Sequence, residues 1–263
     1  RTQLFLYGER PGIIARLYGG WALWFLGLPD RAVARFDAAI ALAEKLGHAY
    51  SLAFALTFAA GMRNDRRDFA VALECAEAAS RIAAKHDLPL WMSESAIAKG
   101  FAAASLGDHA EGIEQLRSGI SGLQRMGDFH HRSHWLGLLA AAYLDAGAYS
   151  DAQMAHNEAL EVVAVTQERY FAPDLERLRG VLLTRQGEFD EADACFQKAL
   201  RMAAGMGSKS LELRAAMSLA QLWGTRGRRA EAHDLLAPIY GWFTEGLDTG
   251  ELTDARALLD QLR

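Results

Sequence analysis

Residues 147–152 read Gly-Ala-Tyr-Ser-Asp-Ala, and residues 187–192, forty positions on, read Gly-Glu-Phe-Asp-Glu-Ala. The same glycine recurs at Gly27, Gly107, Gly147, Gly187 and Gly227, always multiples of forty apart, and Arg67 stands at the one intervening place. Five positions after it every copy has a small side chain: Ala32, Ala72, Gly112, Ala152, Ala192 and Ala232. Seven positions before it stands another: Gly20, Ala60, Gly100, Ala140, Gly180 and Ala220. Two positions after it rings cluster at Phe69, His109, Tyr149 and Phe189, while Pro29 and Arg229 break that column at its ends. Self-similarity at a fixed period of this length is the signature of a repeat architecture.

Each unit reads as two helices. Stretches such as 152–160 and 192–200 combine strong helix formers with apolar residues spaced by three and four, and they lack clusters of β-branched residues. The glycine between two such stretches supplies the left-handed residue that ends the first helix. A small residue at a fixed place on each helix lets its antiparallel partner approach to roughly 8–10 Å. A large side chain there, as in Gly180→Leu, overpacks the contact at a cost of about 1–3 kcal/mol.

The pattern predicts an all-α chain: a right-handed α-α superhelical solenoid occupying residues 1–263 as one domain. Its units cover about 13–52, 53–92, 93–132, 133–172, 173–212 and 213–247. A capping helix at 248–263 carries Leu252, Ala255, Leu258, Leu259 and Leu262 on one face, with Asp248 and Glu251 as its capping box. The first helix of the first unit crowds Ile13, Ile14, Leu17, Trp21, Trp24 and Phe25, so further repeats or another domain are expected to cover it. Trp21 and Trp24 read as core rather than as a binding box.

Composition narrows the function classes. The chain has 263 residues, 51% of them hydrophobic and 23% charged, and a formal net charge of −5 from 28 basic and 33 acidic side chains. A chain of that size buries enough apolar surface to fold without disulfides or metal. It lacks the basic excess that phosphate neutralisation requires, which argues against nucleic acid as a direct partner. The most apolar stretch, residues 13–28, is shorter than a bilayer span and contains Arg16, so no membrane partner is expected. The chain opens at Arg1 without an initiator Met or a charged-then-apolar leader, which predicts a fragment of a longer cytoplasmic protein.

The glycine turn, the Gly-x-aromatic-x-x-Ala sequence and Phe196, Ala199 and Leu200 in the fifth unit resemble the tetratricopeptide repeat, in the longer-helix variant found in bacterial signalling ATPases. Residues 194–200 (ACFQKAL), 208–216 (SKSLELRAA) and 238–246 (PIYGWFTEG) sharpen that likeness. They resemble the C-terminal repeat region of large bacterial proteins in which a class III adenylate or guanylate cyclase, or another output domain, precedes an ATPase module. Neither catalytic domain lies in this chain, so neither activity carries over. Glu176 and Arg179 stand where the repeat places apolar residues, which predicts a shifted helix face with Leu175, Leu178 and Leu182 inward.

Catalytic chemistry finds little support. Residues 205–210, Gly-Met-Gly-Ser-Lys-Ser, have the flavour of a phosphate loop but lack its Gly-Lys adjacency, spacing and preceding strand. His130, His131 and His134, with Asp128 near them, are the best metal candidates, yet the His-Glu-x-x-His arrangement is absent. They read as solvated histidines at a helix start. Cys75 and Cys195 lie three periods apart, too far for a disulfide within one solenoid, and read as small buried side chains in a reducing compartment. No nucleophile elbow or Cys–His pairing appears. The expectation is a non-enzyme with no cofactor and no bound metal.

The resemblance to the tetratricopeptide repeat implies a concave groove lined by the first helix of each unit. Equivalent positions place Phe54, Glu94, His134, Asp174 and Arg214 in one row, Thr57, Ile97, Arg177 and Met217 in a second, and Trp21, Phe101, Val181 and Gln221 in a third. Arg177, Arg185 and Arg214 suit carboxylates of an extended partner, and Phe54 and Phe101 suit apolar side chains. The same residues also fit an ordinary solvated solenoid surface. The sequence therefore predicts a protein-interaction or regulatory module of a larger signalling protein, whose partner is a protein or peptide segment from the same parent chain or another. Sensing of a small molecule that controls an attached ATPase or cyclase is the alternative, and a zinc-dependent enzyme the least favoured.

Overall fold

The computed structural model describes residues 11–263, all of whose regular structure is α-helical. Thirteen helices follow one another: α1 (Pro11–Phe25), α2 (Pro29–Leu46), α3 (Ala49–Asp65), α4 (Phe69–Lys85), α5 (Pro89–Ser105), α6 (His109–Arg125) and α7 (Arg132–Asp145). Then come α8 (Tyr149–Thr166), α9 (Ala172–Gln186), α10 (Phe189–Gly205), α11 (Lys209–Thr225), α12 (Arg229–Tyr240) and α13 (Gly250–Leu262). Among the described residues there is no strand, and no helix is long and apolar enough to cross a membrane. The expectation drawn from the chain's opening at Arg1 falls outside the described residues.

The turns keep the period. Every residue at the repeating glycine position is left-handed: φ is 78° at Gly27, 104° at Gly107, 75° at Gly147, 85° at Gly187 and 82° at Gly227. Arg67 adopts the same conformation at φ 66° despite its Cβ, so the backbone path, not the residue type, is what repeats. Its neighbours hold that turn in place: Arg63 and Arg66 both donate to Asp68 and reach Asp37 and Asp30 on α2. A second left-handed series, not read from the sequence, joins one hairpin to the next at Gly47, Asp87, Gly127, Gln167 and Gly207. A turn thus occurs about every twenty residues, one per helix.

The chain divides into two compact units. The first comprises residues 11–24 and Pro29–His130; the second comprises Phe25–Leu28 and His131–Arg263. In the first, α3 packs on α4 and α5 on α6, and α3 also packs directly on α5. In the second, α7 pairs with α8, α9 with α10 and α11 with α12, while α7, α9, α11 and α13 pack successively on one another. Because successive first helices adjoin, a position that repeats every forty residues forms a continuous row within a unit.

The small-residue columns sit where helices touch. Ala32, Ala72, Ala152, Ala192 and Ala232 are all fully buried. A Cβ at Gly20 or Gly180 would lie 2.5 Å from the ring of Phe36 or Phe196 respectively. At Gly100 it would lie 2.5 Å from the Gly112 carbonyl oxygen, so there backbone meets backbone. On α9, Leu175, Leu178 and Leu182 are buried as the shifted face predicts. Glu176 is buried too, and it reaches Lys198 of α10 at 2.8 Å.

One local expectation needs correction. Asp248 does not cap α13; the Thr249 hydroxyl accepts from the Leu252 backbone N–H, and Glu251 turns to an arginine described below. Residues 205–210 are the link between two hairpins, with Gly207 left-handed and Ser208 at the start of α11. The two cysteines are free, Cys195 buried and Cys75 half-buried, and burial raises both thiols above the usual range.

Candidate functional site

In the second unit the first-helix row is one connected set of side chains. Phe171, buried just before α9, lies flat beneath His134 of α7, ring centroids 3.7 Å apart and planes 14° from parallel. One turn into α9, Asp174 accepts from the Arg177 Nε at 2.7 Å. On α11, Arg214 lies near enough to bias the charge of both His134 and Asp174. Its own Nε donates to Glu251 at 2.5 Å, tying α11 to the first turn of α13. The side chains of Asp174, Arg177, Arg214 and Glu251 keep between 11% and 20% exposure, so solvent still reaches the row.

The electrostatics follow from that placement. Although burial works against its charge, Asp174 is held below the ordinary carboxylate range by Arg177 and Arg214. Burial, aided by His131 and Arg214 and opposed by Asp174, pulls His134 down to about 3, so it is neutral at pH 7. The reading of three solvated histidines therefore fails at His134, which is a stacked, desolvated ring. His131 adopts φ 60° at the start of α7, and its Nδ1 is hydrogen-bonded to the Tyr170 hydroxyl. Glu168 accepts from the His131 backbone N–H and from the Ser133 hydroxyl, each at 3.1 Å. Among the described residues no group of three or more His, Cys, Asp or Glu is placed to hold a metal ion.

His156 on α8 has the same character. Its Nε2–H donates to the Leu175 carbonyl at 2.8 Å, its Nδ1 is buried without a partner, and burial lowers its pKa. For a base whose folded pKa is depressed, the unfolded chain takes up the proton first. Stability is then full above about pH 6.5 and is lost as pH falls toward 3. The expected thermal midpoint at pH 5 is lower than at pH 7.5 by about 2–8 °C, equivalent to about 1–2 kcal/mol. His134→Phe, which keeps the stack on Phe171, should flatten that dependence. Asp174, whose pKa is also lowered on folding, contributes in the same sense, but its share is lost only as pH falls through and below its ordinary 3.8, outside this window. A pH-independent midpoint in the native chain would refute the buried neutral histidines.

The first unit treats the equivalent positions differently. Phe54 is 3% exposed, stacked on Trp91 at 4.9 Å, and Thr57 and Ile97 are also buried. Glu94 is half-buried on α5. Phe101 is half-buried with its ring edge-on to Phe69 of α4. Trp24 is buried and Trp21 half-buried, each in edge contact with the other. Elsewhere in the second unit, Arg185 and Gln221 are exposed near the ends of α9 and α11. Thus His134, Asp174, Arg177 and Arg214 stand together, whereas Arg185 and Gln221 stand apart on the surface. Three residues that the periodicity did not single out complete the row: Phe171, Glu251 and, beyond them, Glu168. Phe171 lies just outside a helix and Glu251 falls thirty-seven rather than forty residues after Arg214, so neither shares the repeat's register.

Comparison with known proteins agrees with this architecture. The tetratricopeptide repeat family matches residues 178–205. An uncharacterized protein of Rhizobium meliloti (strain 1021) is 27% identical over 208 residues, which is 79% of this chain and 20% of that protein. The chain therefore spans about a fifth of the length of the curated relative it matches. Among solved structures, a Rap protein complexed with competence and sporulation factor superposes with a TM-score of 0.66 at 14% identity, covering 95% of this chain and 74% of that one. NprR in complex with its cognate peptide NprX gives 0.61 at 16% identity, covering 96% and 78%. A signal transduction ATPase with numerous domains from Pyrococcus horikoshii, which carries a tetratricopeptide repeat sensor, gives 0.57 at 12% identity, covering 95% and 38%. The fold is a tetratricopeptide-like helical-repeat solenoid.

Proposed function

We propose that this chain is a non-catalytic peptide- or protein-binding module of a larger cytoplasmic signalling protein, and that a partner segment lies along the first-helix face of its repeats. The observation that carries the reading is the row His134, Asp174, Arg177, Arg214 and Glu251, polar and partly exposed yet anchored on four helices. A row of alternating donors and acceptors on a rigid floor suits the amides, carbonyls and charged side chains of an extended segment. Two neighbours of the same fold support the reading as complexes: NprR with its cognate peptide NprX, and the Rap protein with competence and sporulation factor.

Arg177 and Arg214 already have carboxylate partners of their own, so a ligand carboxylate competes with Asp174 and Glu251 rather than meeting bare charge. Arg185 and Gln221, exposed near the ends of α9 and α11, stand apart from this row, and Glu94 and Phe101 belong to the first-helix face of the first unit, taken by itself. The greater length of the Rhizobium meliloti relative supports a place within a longer protein; control of an attached ATPase or nucleotide cyclase through small-molecule sensing is the alternative reading.

The test is panning of a displayed library of random 12-residue peptides on the folded chain and on the exchange variant Arg214→Glu/Glu251→Arg. The exchange keeps an ion pair between α11 and α13 while reversing its direction. Peptides enriched on the native chain should bind the exchanged one at least tenfold more weakly. Equal binding to both removes the row from the function, and enrichment of no peptide removes peptide binding altogether.

A further inference from the structure

Within the first unit, five rings on three successive first helices form a continuous cluster. Tyr18 of α1 meets Phe58 of α3 edge-on at 5.8 Å; Phe58 meets Phe54 at 4.5 Å; Phe54 stacks on Trp91 of α5; and Tyr50 meets Trp91 at 5.3 Å. Trp91 and Phe54, each 3% exposed, form the floor. Tyr18 is 51% exposed, and Tyr50 and Phe58 are half-buried, so the rings become more accessible outward.

Two polar groups in this apolar setting lack protein partners. The Trp91 indole Nε1–H is buried with nothing to accept it, and the hydroxyl of Thr57, 4% exposed and one position before Phe58, is likewise unpaired. A buried donor without an acceptor is destabilising, and core packing alone gives no reason to retain one. An apolar site with a few unpaired polar groups has the composition of a ligand pocket rather than of a plain core.

We infer that the Tyr18–Tyr50–Phe58–Trp91 cluster receives a large apolar side chain of a bound peptide, whose adjoining main-chain carbonyl accepts from the Trp91 indole N–H. The occupant is a peptide residue because the site asks for two things together, an aromatic or branched aliphatic group and an uncharged acceptor. A hydrophobic residue within an extended chain supplies both. Thr57 serves the same segment through its hydroxyl, which donates to a carbonyl or accepts from an amide. Entry requires the half-buried rings of Tyr50 and Phe58 to rotate aside, a change of side-chain rotamer without movement of the helices. The inference rests on the proposed peptide-binding function and specifies what the first unit selects in such a peptide.

The experiment follows the Trp91 indole resonance of the ¹⁵N-labelled 263-residue chain, identified by its disappearance in Trp91→Phe. The probes are acetylated, amidated tripeptides Gly-Phe-Gly, Gly-Leu-Gly and Gly-Ala-Gly. The first two should shift the resonance saturably, and Gly-Ala-Gly should bind at least tenfold more weakly, because it lacks about two to three methylene equivalents of buried surface. Thr57→Val, nearly isosteric, should weaken Gly-Leu-Gly three- to tenfold while leaving the unliganded spectrum in place. An unmoved Trp91 resonance, or equal response to Gly-Ala-Gly, overturns the inference. If panning still enriches peptides sensitive to the Arg214/Glu251 exchange, that failure belongs to this site alone; if panning enriches none, the broader function fails whatever Trp91 does.

Discussion

Gly112→Leu should unfold the first unit at a temperature lower by about 6–12 °C, corresponding to a loss of about 3 kcal/mol or more. A Cβ at Gly112 would lie 2.5 Å from the backbone nitrogen of Ala104 and 2.6 Å from the carbonyl oxygen of Gly100. At Gly119, two turns along α6, it would lie 2.5 Å from the carbonyl oxygen of Ser93. The helices α5 and α6 therefore meet main chain to main chain along their length, and no rotamer change relieves an added side chain. Only separation of the helices does, at the expense of the packing around Leu116 and Leu123, both fully buried. Gly180→Leu is the instructive contrast. Its Cβ meets the ring of Phe196 at 2.5 Å, a side chain rather than backbone. A loss of about 1–3 kcal/mol is expected there, recovered in part by Phe196→Ala. Thermal melts by circular dichroism check both, and an unchanged melt for Gly112→Leu would mean that α5 and α6 are not so close.

Arg214→Met should cost about 3–5 kcal/mol, because it leaves Glu251 buried at 9% exposure without its cation. The effect should concentrate in α13, whose buried Leu252, Ala255, Leu259 and Leu262 join Leu213, Ala216 and Leu236 in one cluster. Amide exchange in 250–262 should accelerate before the rest of the second unit responds. The double variant Arg214→Met/Glu251→Leu removes both charges and should recover most of the loss. If the single variant melts like the native chain, the Arg214–Glu251 pair does not secure the helix.

Much of this was legible in the residues alone. The glycine column marked the turn inside every hairpin, and the structure adds only that Arg67 takes the same left-handed path. The second turn series was half visible, since Gly47, Gly127 and Gly207 recur every eighty residues, but Asp87 and Gln167 interrupt it. The match of Gly20 with Phe36, and of Gly180 with Phe196, was also written in the chain: both rings stand sixteen residues after their glycine. One column trades volume against the other so that each helix pair fills its space without strain.

The site divides the same way. Periodicity placed Phe54, Glu94, His134, Asp174 and Arg214 at one register, and it could not tell that Phe54 is core while Asp174 and Arg214 remain accessible. Exposure depends on the neighbour, and Trp91 covers Phe54 where the second unit presents charged groups. His134 looked like a solvated helix-start residue because Phe171, which desolvates it, lies in a connection that carries no helical pattern.

By itself, then, the order of residues determined that this is a chain of helical hairpins, because a forty-residue recurrence of turn and small residues acts locally and identically in each copy. Tertiary structure alone decided which repeated positions face water, which ions are already paired and which donors are left unmatched. Those properties belong to residues from different helices that meet only after folding, and burial and charge there depend on distances that spacing along the chain does not contain.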